Sequence, residues 1–96
     1  MFAKVPIDIL KVVKDDQDME ILRTALQAEL DAINLYEQMA NLTYNQNLRR
    51  LLMDVAKEEK THVGEFQALL LRLDKEQAEE LVAGKAELEK LSELTF

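Results

Sequence analysis

The chain has 96 residues, 19 of them acidic and 12 basic, for a net charge of -7 and a pI near 4.7. That balance repels polyanions such as nucleic acid and raises the local concentration of cations, while a chain of this length makes one domain. With no cysteine, disulfides, zinc ribbons, thiolate catalysis and iron-sulfur ligation are excluded, and only oxygen and nitrogen donors remain.

The N-terminal stretch MFAKVPIDILKVVKDDQD is broken by Lys4, Pro6, Asp8 and Lys11, so it lacks the uninterrupted apolar run of a signal peptide. No segment approaches the roughly 20 apolar residues of a membrane span. A soluble, cytoplasmic protein that binds neither membrane nor nucleic acid is expected. Residues 5–13 fit an extended or a helical conformation equally.

Asp15, Asp16 and Asp18 suit a helix N-terminus, and residues 19–43 hold no Gly or Pro. A first helix is therefore predicted over about 18–43. Its apolar positions, Leu22, Ala25, Leu26, Ile33, Tyr36, Met39, Ala40 and Thr43, follow the three-and-four spacing of one helix face, with Glu29 in the middle. The segment LTYNQN marks a reversal, with Asn45 able to cap the next helix.

A second helix is predicted over about 46–73. Its stripe is Leu48, Leu51, Leu52, Val55, Phe66, Leu69, Leu70 and Leu73, and the two positions that continue it across the centre are Glu59 and His62. Gly64 weakens this helix without ending it. Asp74 and Gln77 make a capping box that starts a third helix over about 75–82, with Gly84 as its C-terminal stop. Leu88, Leu91 and Leu94 predict a fourth over about 85–94. Met39 and Met53 read as core filler, Arg49, Arg50, Lys57 and Lys60 as a solvated face, and Glu37, Glu58 and Glu65 as solvated carboxylates.

His62 is the only histidine. It follows Glu59 by three residues, which places both side chains on one helix face within reach of a common ion. A hairpin turning between residues 44 and 45 sets residue 29 opposite residue 60, so Glu29 lies level with both. An ionised glutamate on an apolar stripe carries a desolvation cost of several kcal/mol, which a bound cation offsets. Carboxylate-bridged di-metal bundles draw a glutamate from each of two helices and a Glu-x-x-His from each of two others. This chain supplies one of each, so a two-fold homodimer would complete a four-helix bundle and its site. Hard carboxylates with an imidazole suit iron or manganese.

The segment AELDAINLYEQMA, followed some thirty positions later by EEKTHVGEF, resembles the encapsulated ferritins, half-ferritins associated with encapsulin shells. The resemblance covers residues 20–73. It implies an all-α, ferritin-like antiparallel hairpin with short C-terminal helices, a single domain over 1–96, that dimerises and assembles into a decameric ring. It further implies a ferroxidase whose two irons are held by Glu29, Glu59 and His62 of both chains, with Tyr36 nearby as a catalytic group and Mn, Zn or Ca as substitute ions. The expected setting is iron storage inside an encapsulin nanocompartment, as cargo or fusion. Where some relatives carry a glutamate just before the first ligand this chain has Ala28, and Leu35 stands where they have tryptophan, while Asp31 keeps an acidic group nearby. A rubrerythrin-like di-metal peroxidase or catalase and a non-catalytic helical dimerisation module are the alternatives; the absence of cysteine removes any rubredoxin centre from the former.

Overall fold

The computed structural model describes residues 16–91. Among them the chain is all-α: α1 spans Gln17–Leu42, α2 spans Gln46–Leu73 and α3 spans Lys75–Lys90. Both long helices agree with their predicted bounds to within a residue. The ambiguous segment 5–13, Asp15 and residues beyond 91 lie outside the described residues.

α1 and α2 form an antiparallel hairpin joined by Thr43, Tyr44 and Asn45. The reversal is set by local chemistry: the Asn45 side chain accepts from the backbone N–H groups of Asn47 and Leu48, at 3.0 and 3.1 Å, satisfying two of the orphan donors at the start of α2. The last turn of α1 contains no basic residue. Arg49 of α2 supplies the positive charge instead, donating through Nε to the Ala40 carbonyl and through Nη2 to that of Thr43, both at 3.0 Å. The expectation that Arg49 belongs to a solvated face is thus corrected, because the exposed carbonyls and negative dipole end of α1 attract it inward.

Small residues set the spacing of the hairpin. Ala32, Ala40 and Ala56 are buried between the helices, with Leu22, Ile33 and Leu70 as the buried large side chains. Each of the large ones contributes about 1.5–3 kcal/mol by leaving water. Met53, expected as core filler, is exposed, as are Leu48, Leu51, Leu69 and Leu73 of the predicted stripe. The reason is geometric: that stripe is wider than the strip of α2 that one neighbouring helix can cover.

α2 and α3 are separated by one residue. The Asp74 backbone N–H donates to the Leu70 carbonyl at 2.8 Å, closing α2, and its side-chain Oδ1 accepts from the Gln77 N–H at 2.9 Å, opening α3. Its other oxygen accepts from Arg23 of α1 at 2.7 Å, which fixes the junction against the hairpin. Sequence reading expected two short helices, 75–82 and 85–94. A single helix runs through Gly84 to Lys90, with Leu91 as its C-cap. Gly84 keeps a negative φ, and glycine stops a helix only where the chain turns left-handed.

No residue of α3 is buried. The described chain measures 46 × 44 × 19 Å with a radius of gyration of 16.9 Å, against about 12 Å for a compact chain of this length. It is a thin slab with a projecting arm. No helix among the described residues is long and apolar enough to cross a membrane.

Candidate metal centre

Glu29 sits at the midpoint of α1 and Glu59 at the midpoint of α2, with His62 one turn further along. The hairpin register set by Asn45 and the close alanine contacts brings the three together. His62 Nδ1 lies 3.3 Å from Glu29 Oε2 and 3.4 Å from Glu59 Oε2. One donor atom from each residue lies within 4.8 Å of the other two.

These distances discriminate between a hydrogen-bonded polar trio and a ligand set. Charge-assisted N–H···O bonds contract to about 2.7–2.9 Å, and one Nδ1 can donate only one proton. Both contacts here are longer than that, and they compete for the same atom. At a metal–ligand distance of about 2.1 Å, by contrast, adjacent donors of one ion stand about 3.0–3.4 Å apart, from octahedral to tetrahedral. His62 stands at that spacing from each carboxylate, and the three donor atoms lie within 4.8 Å of one another, so the group could hold a metal ion.

Electrostatics point the same way. Two carboxylates face one imidazole, and among the described residues neither Glu29 nor Glu59 forms an ion pair with a lysine or arginine. Lys60, beside Glu59 in sequence, turns away to pair with Glu37 of α1 at 3.1 Å, so Glu37 is engaged across the hairpin rather than simply solvated. The centre thus keeps a negative charge with no lysine or arginine against it among the described residues. Access differs among the three side chains: Glu29 and Glu59 are 18% exposed, whereas His62 is 45% exposed. The cluster therefore opens on the His62 side, toward the same flank of α2 that carries the exposed leucines.

Tyr36 is half-buried on the Glu29 face of α1, two turns closer to the loop, its backbone about 10 Å along the axis from that of Glu29. Glu58 and Glu65 are exposed on α2. Sequence reading missed Arg23 and Arg49, which act on the site by fixing the two ends of the hairpin that carries it. The signal for Arg49 was available in the sequence, since a helix whose last turn lacks any cation needs one from elsewhere.

Residues 6–84 match the model of the EncFtn-like family. A ferritin-like-encapsulin shell fusion protein from Pyrococcus furiosus is 62% identical over 74 residues, covering 77% of this chain and 21% of that protein. An encapsulin nanocompartment cargo protein from Myxococcus xanthus, EncC, is 44% identical over 57 residues, 59% of this chain and 44% of the relative. The chain thus spans less than half the length of either relative. The crystal structure of the encapsulated ferritin domain from Pyrococcus furiosus superposes with a TM-score of 0.82 at 50% identity, covering 100% of this chain and 98% of that one.

Proposed function

This chain belongs to the EncFtn-like family, and from that premise we propose that it is a ferroxidase, oxidising Fe(II) to Fe(III) at a di-iron centre shared by two copies of the chain. The observation that carries the proposal is the convergence of Glu29, Glu59 and His62 at donor-atom spacing. Iron is the substrate. Each ferrous ion gives up one electron, and two together reduce one dioxygen, with two protons, to hydrogen peroxide.

One chain supplies two carboxylates and one imidazole, half of the four carboxylates and two histidines that di-iron bundles use. The other half comes from a second copy facing the open His62 side. In that arrangement the Glu29 and Glu59 carboxylates would offset the charge of the incoming ferrous ions, while His62 offers Nδ1 as the neutral donor. The surplus of acidic groups raises the local ferrous concentration. Manganese, zinc and calcium are competitors for the same oxygen and nitrogen donors.

Dimers assembling into a ring, and a place inside an encapsulin nanocompartment as cargo or as part of a fusion, complete the proposal. The support is that one relative is a fusion with an encapsulin shell and another is an encapsulin cargo protein. A thin slab encloses no storage volume of its own, so mineral would accumulate in the compartment.

The test is the rate of ferrous oxidation, followed by ferric absorbance and oxygen uptake, in wild type, Glu59→Ala and His62→Ala. Each substitution is expected to reduce the rate at least about tenfold, the lower end of what disturbing a metal's ligand shell typically costs. Undiminished rates in both variants would remove the assignment, and peroxide consumption outpacing oxygen consumption would move it to a peroxidase.

A further inference from the structure

The chain contains two glycines, Gly64 and Gly84, and neither serves a turn. Both lie inside helices, α2 and α3, where glycine is less favourable than alanine. A Cβ added at either would meet nothing within 4 Å, so no contact among the described residues accounts for the missing side chains. The two stand at equal distances in sequence from Asp74, the single residue between the helices.

That symmetry extends to the faces that carry them. At 100° per residue, Lys57, Lys60, Gly64, Gln67 and Leu71 share a sector of α2 about 80° wide, and Gln77, Leu81, Gly84, Leu88 and Leu91 share one of the same width on α3. Counted outward from Asp74, every member of one stripe has its counterpart in the other: Leu71 with Gln77, Gln67 with Leu81, Gly64 with Gly84, Lys60 with Leu88 and Lys57 with Leu91. The first two pairs already face each other, across a cleft of about 350 Å³ lined by Gln67, Leu71, Gln77 and Leu81 together with Leu26 and Leu70. Beyond the cleft the helices part. α2 is about 42 Å long, so the second extent of the molecule, 44 Å, belongs to the arm standing across the hairpin, and Leu81, Leu88 and Leu91 are left 44%, 44% and 66% exposed.

We propose that α3 is a hinged arm with a second, closed position, in which it folds back antiparallel along α2 in this register and fills the cleft. The glycines then meet at the crossing, where the absence of side chains lets the two backbones approach. Leu88 lies over the aliphatic stem of Lys60, whose ammonium is held to the side by Glu37 at 3.1 Å, and Glu87 comes beside the two lysines. Glu89 falls level with Glu59, but Glu59 is turned toward Glu29 of α1. The stripe on α2 points nearly opposite to His62, so the closed arm leaves the open side of the metal cluster uncovered.

Asp74 holds the arm in its projecting position. Its backbone N–H closes α2 on Leu70 at 2.8 Å and its Oδ1 opens α3 on Gln77 at 2.9 Å, leaving one residue outside the helices, whereas an antiparallel helix pair needs a connection of about 2–5. Closure therefore draws Leu73 and Lys75 into the connection and breaks that cap. Arg23 of α1, 2.7 Å from Asp74 Oδ2, ties the corner to the hairpin and acts as the latch. The Asp74 side chain is only 13% exposed, which protects the pair from solvent screening.

The native chain contains no cysteine, so the test uses nitroxide labels on Asp54→Cys and Lys90→Cys, which lie off both stripes. Labelled full-length chain is mixed through dissociation with an excess of unlabelled chain, so that each distance measured by double electron–electron resonance belongs to one copy. With the helices at a right angle the two positions stand about 38 Å apart, and in the closed register about 20 Å. One peak near the longer distance is expected with Arg23 present, and a second near the shorter one in Arg23→Gln. Adding Gly84→Leu, or Gly64→Leu, to Arg23→Gln should remove the short peak while circular dichroism shows the helices intact, because a leucine at either position keeps the backbones apart. No short peak in Arg23→Gln, a short peak that survives both leucine substitutions, or one that disappears on dilution with unlabelled chain overturns the proposal, the last because the arm would then be packing on another copy. A short peak already dominant with Arg23 present overturns the latch.

Discussion

Replacing Glu59 with glutamine should stabilise the metal-free protein, and the advantage should vanish in the metal-loaded one. The carboxylates of Glu29 and Glu59 have donor oxygens no more than 4.8 Å apart, at side chains that are only 18% exposed. Two unit charges at that separation repel by about 3.5 kcal/mol at an effective dielectric of about 20. Losing the long contact to His62 Nδ1, at 3.4 Å, gives back about 1 kcal/mol at most. The net gain is about 2.5 kcal/mol per chain. With an unfolding entropy of about 2.1 cal/mol/K per residue, that corresponds to a midpoint about 12 °C higher in excess chelator.

With a divalent ion present the advantage disappears. A ligand at one hundred times its dissociation constant adds about 2.7 kcal/mol to the folded state, and a hundredfold loss of affinity in the variant removes nearly all of it. Thermal unfolding at pH 8 and fixed protein concentration, followed by circular dichroism with EDTA and then with Mn(II), reads both arms without oxidation chemistry. A variant about 12 °C above wild type in EDTA and level with it in Mn(II) is the expected result. A variant less stable than wild type in EDTA, or one that gains as much from Mn(II) as wild type does, would refute the argument, because the carboxylates would then be held by interactions within the protein rather than kept apart for an ion.

The convergence of Glu29, Glu59 and His62 was legible in the sequence because it depends mainly on short-range rules. Asn45 fixes the turn, the turn fixes which residue of α1 faces Lys60, and three-residue spacing places Glu59 and His62 together. No long-range packing has to be guessed. Gly84 was misread for the opposite reason: a glycine's role as a stop depends on what the chain does next, and here it continues as helix. Arg49 and Arg23 were misread or passed over because their partners are backbone carbonyls and a junction carboxylate on other elements, which charge spacing along one helix cannot reveal. The leucines at 48, 51, 69 and 73 were assigned to the core of one hairpin, yet they are exposed on it. Periodicity identifies an apolar face but does not say which chain covers it.

The remaining predictions concern contacts within the chain. The Gln77 N–H and then the Arg23 guanidinium hold the Asp74 carboxyl below its ordinary value of 3.8. Its stabilising contribution is therefore complete above that value and is lost as pH falls through the lower, folded one. In urea unfolding between pH 3 and 7, the advantage of wild type over Asp74→Asn should be constant above about pH 5 and shrink below about 4, and an advantage that grew on acidification would contradict the sign. Arg49→Ala tests the other end of the hairpin. It removes two charge-assisted hydrogen bonds of 3.0 Å to the Ala40 and Thr43 carbonyls, each worth about 1.5–3 kcal/mol when dry and roughly half that beside an exposed loop. A loss of about 2 kcal/mol is expected in chelator-treated protein, with Arg49→Lys recovering part of it, since lysine keeps the charge but not the two-pronged geometry. A solvated arginine would instead cost less than about 0.5 kcal/mol on truncation. The α1 terminus would then be satisfied by water alone, and Asn45 with the buried alanines would hold the register that places Glu29 against Glu59 and His62.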